Sequence, residues 1–393
     1  MSANRVDWDP LSDSNVADPL AECRRMRGGC PVAYTAQFGG GWAVFKHADI
    51  ERIAADPETF SSEPAFIVPD YKPDGMFPLP PVQSDPPQHA HYRGLVAPFF
   101  RGSRLARFEP ELVRITNSCI NEFIEAGSAD IAMQLNHPVS ASALAMLMGL
   151  PASDGATFIR WARGVFEASV ADDQQLLVAA FGEISAYVNE WMEVRKADPT
   201  DDMMSVLLQG AIDGRKLTYE EILGLFMLFI VGGFETTADT LSSTIRYLSG
   251  NPELCDRLYN EPKLMTKAVG EFVRAFAPVQ ATARTATRDV TVGDRCVSAG
   301  ERILMMWASG SHDEDMFPHP EMVDIDRPGT HKATAFGSGI HRCVGEPLAR
   351  LEMRAVLNTW LTRIKSFAVD AEPQPSKWPT LGWVTMPMRF TPR

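Results

Sequence analysis

One cysteine stands apart by its surroundings. Cys343 lies in Phe336-Gly337-Ser338-Gly339-Ile340-His341-Arg342-Cys343-Val344-Gly345, a glycine-punctuated loop. The residues that follow repeat apolar positions at helical spacing, with Pro347 in what would be the first turn. A thiol just ahead of a helix N-terminus meets free backbone N–H groups and the positive end of the helix dipole, which lower its pKa and favour thiolate. A thiolate is a metal ligand and a nucleophile. Gly337, Gly339 and Gly345 bring no side chain, so the backbone there can approach something flat and bulky or take positive φ. For the cysteine alone, a small buried hydrophobe in a tight turn is the competing reading.

Other residue sets also have the spacing of chemistry. His89 and Arg93 are four apart, on one helix face, and suit a carboxylate or phosphate partner. Thr218 with Glu221 is a capping box and Gly250-Asn251-Pro252 a stop signal, which predicts one helix of about thirty residues between them. That helix carries Gly232-Gly233, each of which weakens it by about 1 kcal/mol relative to alanine, followed at once by Glu235-Thr236-Thr237. Close approach of a ligand justifies the glycines; a contact with a crossing helix, with Glu235 in solvent, is the alternative. An acid beside hydroxyls in a helix interior can open the hydrogen-bond ladder and admit water. Glu271 and Arg274, three apart, form at least a surface ion pair.

The pattern Phe-x-x-Gly-x-x-x-Cys-x-Gly, met in full by Phe336 to Gly345, resembles the haem-binding loop of the cytochrome P450 family. Residues 85–93 resemble that family's Asp-Pro-Pro-x-His-x-x-x-Arg, and 232–237 its oxygen-activating (Ala/Gly)-Gly-x-(Asp/Glu)-Thr-Thr. Residues 271–274 resemble its Glu-x-x-Arg, and Arg284 its propionate-binding arginine. Val323, where phenylalanine is usual, and Ser309-Gly310-Ser311-His312-Asp313 depart from the pattern at positions that do no chemistry.

The resemblance implies a mainly α protein with a small β region, a single domain over residues 1–393. It places haem b (iron protoporphyrin IX) between a long central helix and the cysteine-loop helix. It makes Cys343 the axial iron ligand, with Phe336 and Gly345 in the haem loop. His89, Arg93, Arg284 and His341 would meet the propionates, and Glu235 and Thr236 would be the proton-delivering acid and alcohol. Glu271, Arg274 and Arg327 would form a buried structural set. The implied activity is insertion of one oxygen atom from O2, with electrons from a separate ferredoxin and its reductase, since no flavin or iron–sulfur extension is visible. Arg101, Arg104, Arg107 and Arg342 are candidates for the docking patch. A peroxide-driven peroxygenase and a non-catalytic haem sensor are the competing classes, the first disfavoured by Glu235-Thr236. A haem-free protein with a structural Cys343 is the limiting case.

Composition is consistent with this. The net charge of −13 argues against a nucleic-acid or anionic-membrane surface. Six cysteines without a C-x-x-C pair indicate neither a zinc knuckle nor a disulfide framework and fit a reducing compartment. No signal peptide pattern opens the chain, and the most apolar run, Ile222 to Val231, is about half a bilayer span. The expectation is a cytoplasmic protein with no membrane partner. Between Ser61 and Pro87 prolines forbid a long helix, yet the loop is apolar and aromatic, which fits a binding segment or, equally, a loop packed on its own core. Phe66, Tyr71, Met76 and Phe77 from this loop, Leu228, Val231 and Gly232 from the long helix, and Val279 and Thr282 ahead of Arg284 are the expected pocket. They predict a compact hydrophobic substrate, terpenoid or aromatic.

Overall fold

The computed structural model describes residues 7–64, 68–69, 76–212 and 214–393, with Val231 described by its backbone alone. The β region is built from β1 (Val32–Thr35), β2 (Gly41–Val44), β3 (Phe60–Ser61), β4 (Ala281–Ala286) and β5 (Arg302–Met306), side by side in the order β1-β2-β5-β4-β3. β2 and β5 run parallel, so segments at opposite ends of the chain are joined. Side-chain alternation sorts β5 onto two cores. Ile303 and Met305 pack with Val32, Val44, Ile50 and Trp307 on one face. Leu304 and Met306 pack with Ala33, Phe45, Ala283 and Trp378 on the other.

The larger core lies among helices. Those that matter for the site are α1 (His47–Ala55), α2 (Gln88–Val96), α3 (His137–Met148), α4 (Gly155–Val170), α5 (Gln174–Ala197), α6 (Tyr219–Gly232), α7 (Glu235–Ser249), α8 (Met265–Ala275) and α9 (Glu346–Arg363). α3 is apolar nearly all round and is buried on nearly every face, the pattern of a helix at a core centre. α9 has Gly345 at its N-cap and Pro347 in its first turn, as its sequence requires.

The long central helix is not continuous. It starts on the Thr218–Glu221 capping box but divides at Gly233-Phe234, where Phe234 leaves helical geometry at φ −126°. The two glycines have different causes. Around Gly232 there is open space, whereas a β-carbon on Gly233 would stand 2.9 Å from Leu144 of α3 and 2.3 Å from the Phe229 carbonyl. A crossing helix explains Gly233, and a cavity explains Gly232. Tyr219–Ser249 is, among the described residues, the one stretch apolar and long enough to cross a bilayer, but 65% of that window is buried in the fold.

Near the C-terminus β6 (Gln374–Pro375) pairs with β7 (Trp383–Thr385). The connection between them folds back onto the start of β4: the Gln280 N–H donates to the Pro379 carbonyl at 2.8 Å and the Leu381 N–H to that of Pro278 at 2.6 Å.

Candidate active site

The cysteine loop is shaped by what surrounds it. Gly337 and Gly339 have φ of +71° and +65°, conformations that favour glycine. The Cys343 N–H donates to the Phe336 carbonyl at 2.8 Å, which closes the loop. Arg350, one turn into α9, lies over the Phe336 ring at 5.2 Å. Upstream, Glu271 and Arg274 of α8 are wholly buried and paired at 2.7 Å, and Arg327 adds a 3.1 Å contact to the same carboxylate. Arg274 also donates to the carbonyls of Ser311, Pro320 and Met322, so this set fixes the irregular chain that leads into the loop.

Cys343 opens onto a cavity with an empty volume of ≈ 1880 Å³, mouth included. The backbone N–H groups of Gly345 and Glu346, and the charge of Arg93, lower its pKa as the sequence suggested. Burial outweighs them and raises the thiol above its ordinary value. The lowering that the helix start suggests is present, and burial is set against it.

One wall of the cavity gathers Arg93, Arg284 and His341. His89 lies against His341 with ring centroids 4.3 Å apart and planes tilted by 59°, and His341 Nε2 lies 2.8 Å from the Ser62 hydroxyl. Burial, with the arginines nearby, pushes His341 down to about 2 and His89 to about 4, so both rings are neutral donors or acceptors at neutral pH. Burial also lowers Arg284, to about 10. Arg93 divides its capacity, since one Nη donates to the Arg342 carbonyl at 2.6 Å.

The break between α6 and α7 also faces the cavity, where Gly232, Glu235 and Thr236 line the space. Burial raises the Glu235 carboxyl, Arg163 of α4 opposes that and Glu167 adds to it. Leu228, Val279 and Thr282 also line the cavity, and Trp307 donates its indole N–H to the Thr282 hydroxyl at 2.9 Å.

Two expected pocket residues are placed elsewhere. Met76 and Phe77 pack on the large helical core, and Phe77 lies 3.4 Å from where a Gly224 β-carbon would stand. The proline turn after them presses on α6, and Pro81 and Val82 take the lining positions. Phe66 and Tyr71 lie outside the described residues, as does the Val231 side chain. Sequence reasoning missed Leu144, Phe229, Pro379, Thr380 and Glu352, all of which line the cavity. Only Glu352 carried a signal, nine residues past Cys343 on the helix that follows the cysteine loop.

The cytochrome P450 family model matches residues 171–391. Linalool 8-monooxygenase of Pseudomonas putida is 30% identical over 361 residues, covering 87% of this chain and 88% of that protein. Among solved structures, cytochrome P450 CYP109Q5 from Chondromyces apiculatus aligns with a TM-score of 0.86 at 28% identity, over 99% of both chains. CYP109E1 from Bacillus megaterium, in complex with testosterone, gives 0.82 at 30% identity, over 95% of this chain and 99% of that one. The fold and the cysteine-bearing cavity are those of a haem-dependent oxidoreductase. The chain belongs to the cytochrome P450 family and is a monooxygenase of that family.

The residues present fit the haem that the family implies. Among the described residues, the buried Nε2 of His89 has no hydrogen-bond partner. Two arginines share its wall, and the nearby Asp85 is turned away to Ser61 and Ser62. A cluster of cations and donors of this kind suits carboxylates, which is what a pair of propionates supplies.

Proposed function

We propose that the chain acts as one domain over residues 1–393 and inserts one oxygen atom from O2 into a small hydrophobic molecule, terpenoid or aromatic, in the cytoplasm. One observation carries this reading: Cys343 and the Glu235–Thr236 pair line one and the same large cavity. Cys343 would hold haem b through its iron, with Phe336 and Gly345 beside it, and His89, Arg93, Arg284 and His341 would bind its carboxylates. The haem, when bound, supplies the electron-transfer and O2 chemistry. Cys343 as thiolate raises electron density at its metal. Glu235 holds a proton at its carboxyl and Thr236 relays it from its hydroxyl into the cavity.

The substrate reading is supported by the lining. Among the described residues its cations are Arg93 and Arg284, with His341, all on the wall reserved for carboxylates, and the remainder is mostly apolar. Among the described lining residues a carboxylate-bearing substrate would find no further cation. Linalool and testosterone, in the relatives' printed names, are both largely hydrocarbon.

Electrons from a ferredoxin and its reductase remain the proposed supply. The arginines suggested for docking are partly neutralised: Arg104 and Arg107 share Asp201, and Arg342 pairs with Glu346 at 2.8 Å. Titration of the haem-loaded protein with terpenoid and aromatic compounds tests the substrate class. A spin-state shift with neutral apolar compounds is expected, and a shift only with carboxylates would overturn it. Product formed with peroxide alone, and none with a ferredoxin system, would favour the peroxygenase instead.

A further inference from the structure

A second buried acid stands behind Glu235. Asp239 follows it by one turn of α7, so the two lie on one helix face, and Asp239 is 1% exposed. Its Oδ1 accepts from the Trp383 N–H at 3.1 Å and from the Ser376 hydroxyl at 3.4 Å, both in the C-terminal hairpin. The hairpin is pressed against it: a β-carbon on Gly382 would stand 2.0 Å from Oδ1. Oδ2 is buried and has no hydrogen-bond partner among the described residues.

A structural carboxylate in so enclosed a place needs both oxygens satisfied, because a bare buried charge is costly. A neutral carboxyl needs less: one oxygen accepts and the other carries a proton to give. Burial and the neighbouring Glu235 both raise Asp239 well above the ordinary carboxyl range. The charged groups acting on it are Glu235 from its own helix and Arg163 from α4, the latter with a smaller opposing effect. Ser376 is half-buried and its neighbour Lys377 is exposed, so the hairpin leads from the carboxyl to solvent.

We propose that Asp239 is a relay residue that reloads Glu235 with protons drawn through the C-terminal hairpin. The inference rests on Glu235 being the acid of the pair, as proposed above. Asp239 releases the proton on Oδ2 to the Glu235 carboxylate, directly or across a water. It regains one as the Ser376 hydroxyl gives its proton and takes another from solvent. Only O–H bonds break and form.

The informative variant is Asp239→Asn, which keeps a carbonyl oxygen for Trp383 and Ser376 but has no transferable proton. In the haem-loaded protein its thermal midpoint and substrate-induced spin shift should match the parent. An infrared difference between parent and variant at neutral pH should show the C=O band of a protonated carboxyl. Turnover with a ferredoxin system should fall by about tenfold or more, with a larger solvent deuterium isotope effect. Ser376→Ala, which leaves the carboxyl in place, should shift turnover and isotope effect in the same direction. Absence of the protonated-carboxyl band, or an Asp239→Asn variant with parental turnover and isotope effect, overturns the relay. Glu235→Gln run in parallel separates the two readings. If Glu235→Gln is impaired and Asp239→Asn is not, only the relay fails; if neither is impaired, the acid assignment fails with it.

Discussion

Gly339 of the cysteine loop lies so close to Ala54, at the end of α1, that a β-carbon on it would stand 1.9 Å from the Ala54 carbonyl oxygen. The cysteine loop is therefore seated on a helix from the other end of the chain, and its glycine is required twice, by space and by a φ of +65°.

Gly339→Ala tests that seating. Left-handed backbone alone costs roughly 1–2 kcal/mol for a residue with a β-carbon, and the backbone clash should bring the total to about 3 kcal/mol or more. Gly300→Ala, at φ +84° with nothing within 4 Å, supplies the control and should lose only about 1 kcal/mol. Denaturant midpoints that fall equally for both would show that the contact is dispensable.

Thr236→Ala addresses the proton pair. Without the hydroxyl, reduced oxygen should leave as hydrogen peroxide, so NAD(P)H consumption continues while product per NAD(P)H drops. Peroxide release and product are measured together. Unchanged coupling contradicts the role given to Thr236.

Glu271→Ala should be among the most damaging changes outside the cavity. It leaves Arg274, wholly buried, without its carboxylate, and breaking such a pair costs about 3–5 kcal/mol. The variant should also retain less haem after purification, because the segment that Arg274 ties down leads to Cys343. Parental stability and parental haem content would refute this.

Glu352 makes stability depend on pH. Burial raises its carboxyl to about 8 from an ordinary 4.5. The neutral form favours the folded state fully below 4.5, and that advantage is lost as pH rises towards 8. Relative to Glu352→Gln, the parent should therefore lose stability between those values, by an amount on the order of a few kcal/mol, and stay level above. Parallel pH curves for the two proteins would contradict the assignment.

Much of the site was legible because its residues are held at fixed short spacings: Phe336 to Gly345, His89 to Arg93, Gly232 to Thr236. Where function depends on distant segments meeting, the sequence was silent. Thr380 reaches the cavity because it pairs with Val279 across a β-bridge, and nothing near residue 380 announces that partner. Met76 and Phe77 misled for the same reason, since a proline-rich loop has no periodicity to say which face it buries. Gly233 was readable as a weakness, but Leu144, whose close approach leaves no room for a β-carbon there, lies on another helix. At Cys343 the helix-start effects are local and visible in the sequence, whereas the burial that opposes them is a property of the folded whole.

The central claim is that Cys343 binds haem iron as a thiolate. The absorption spectrum of the reduced, carbon-monoxide-bound protein tests it most directly. The account predicts the strongly red-shifted Soret band of a thiolate-ligated haem, moved to the imidazole-ligated position in Cys343→His. A parent spectrum already at the imidazole position, or a colourless purified protein that takes up no haem, would contradict it.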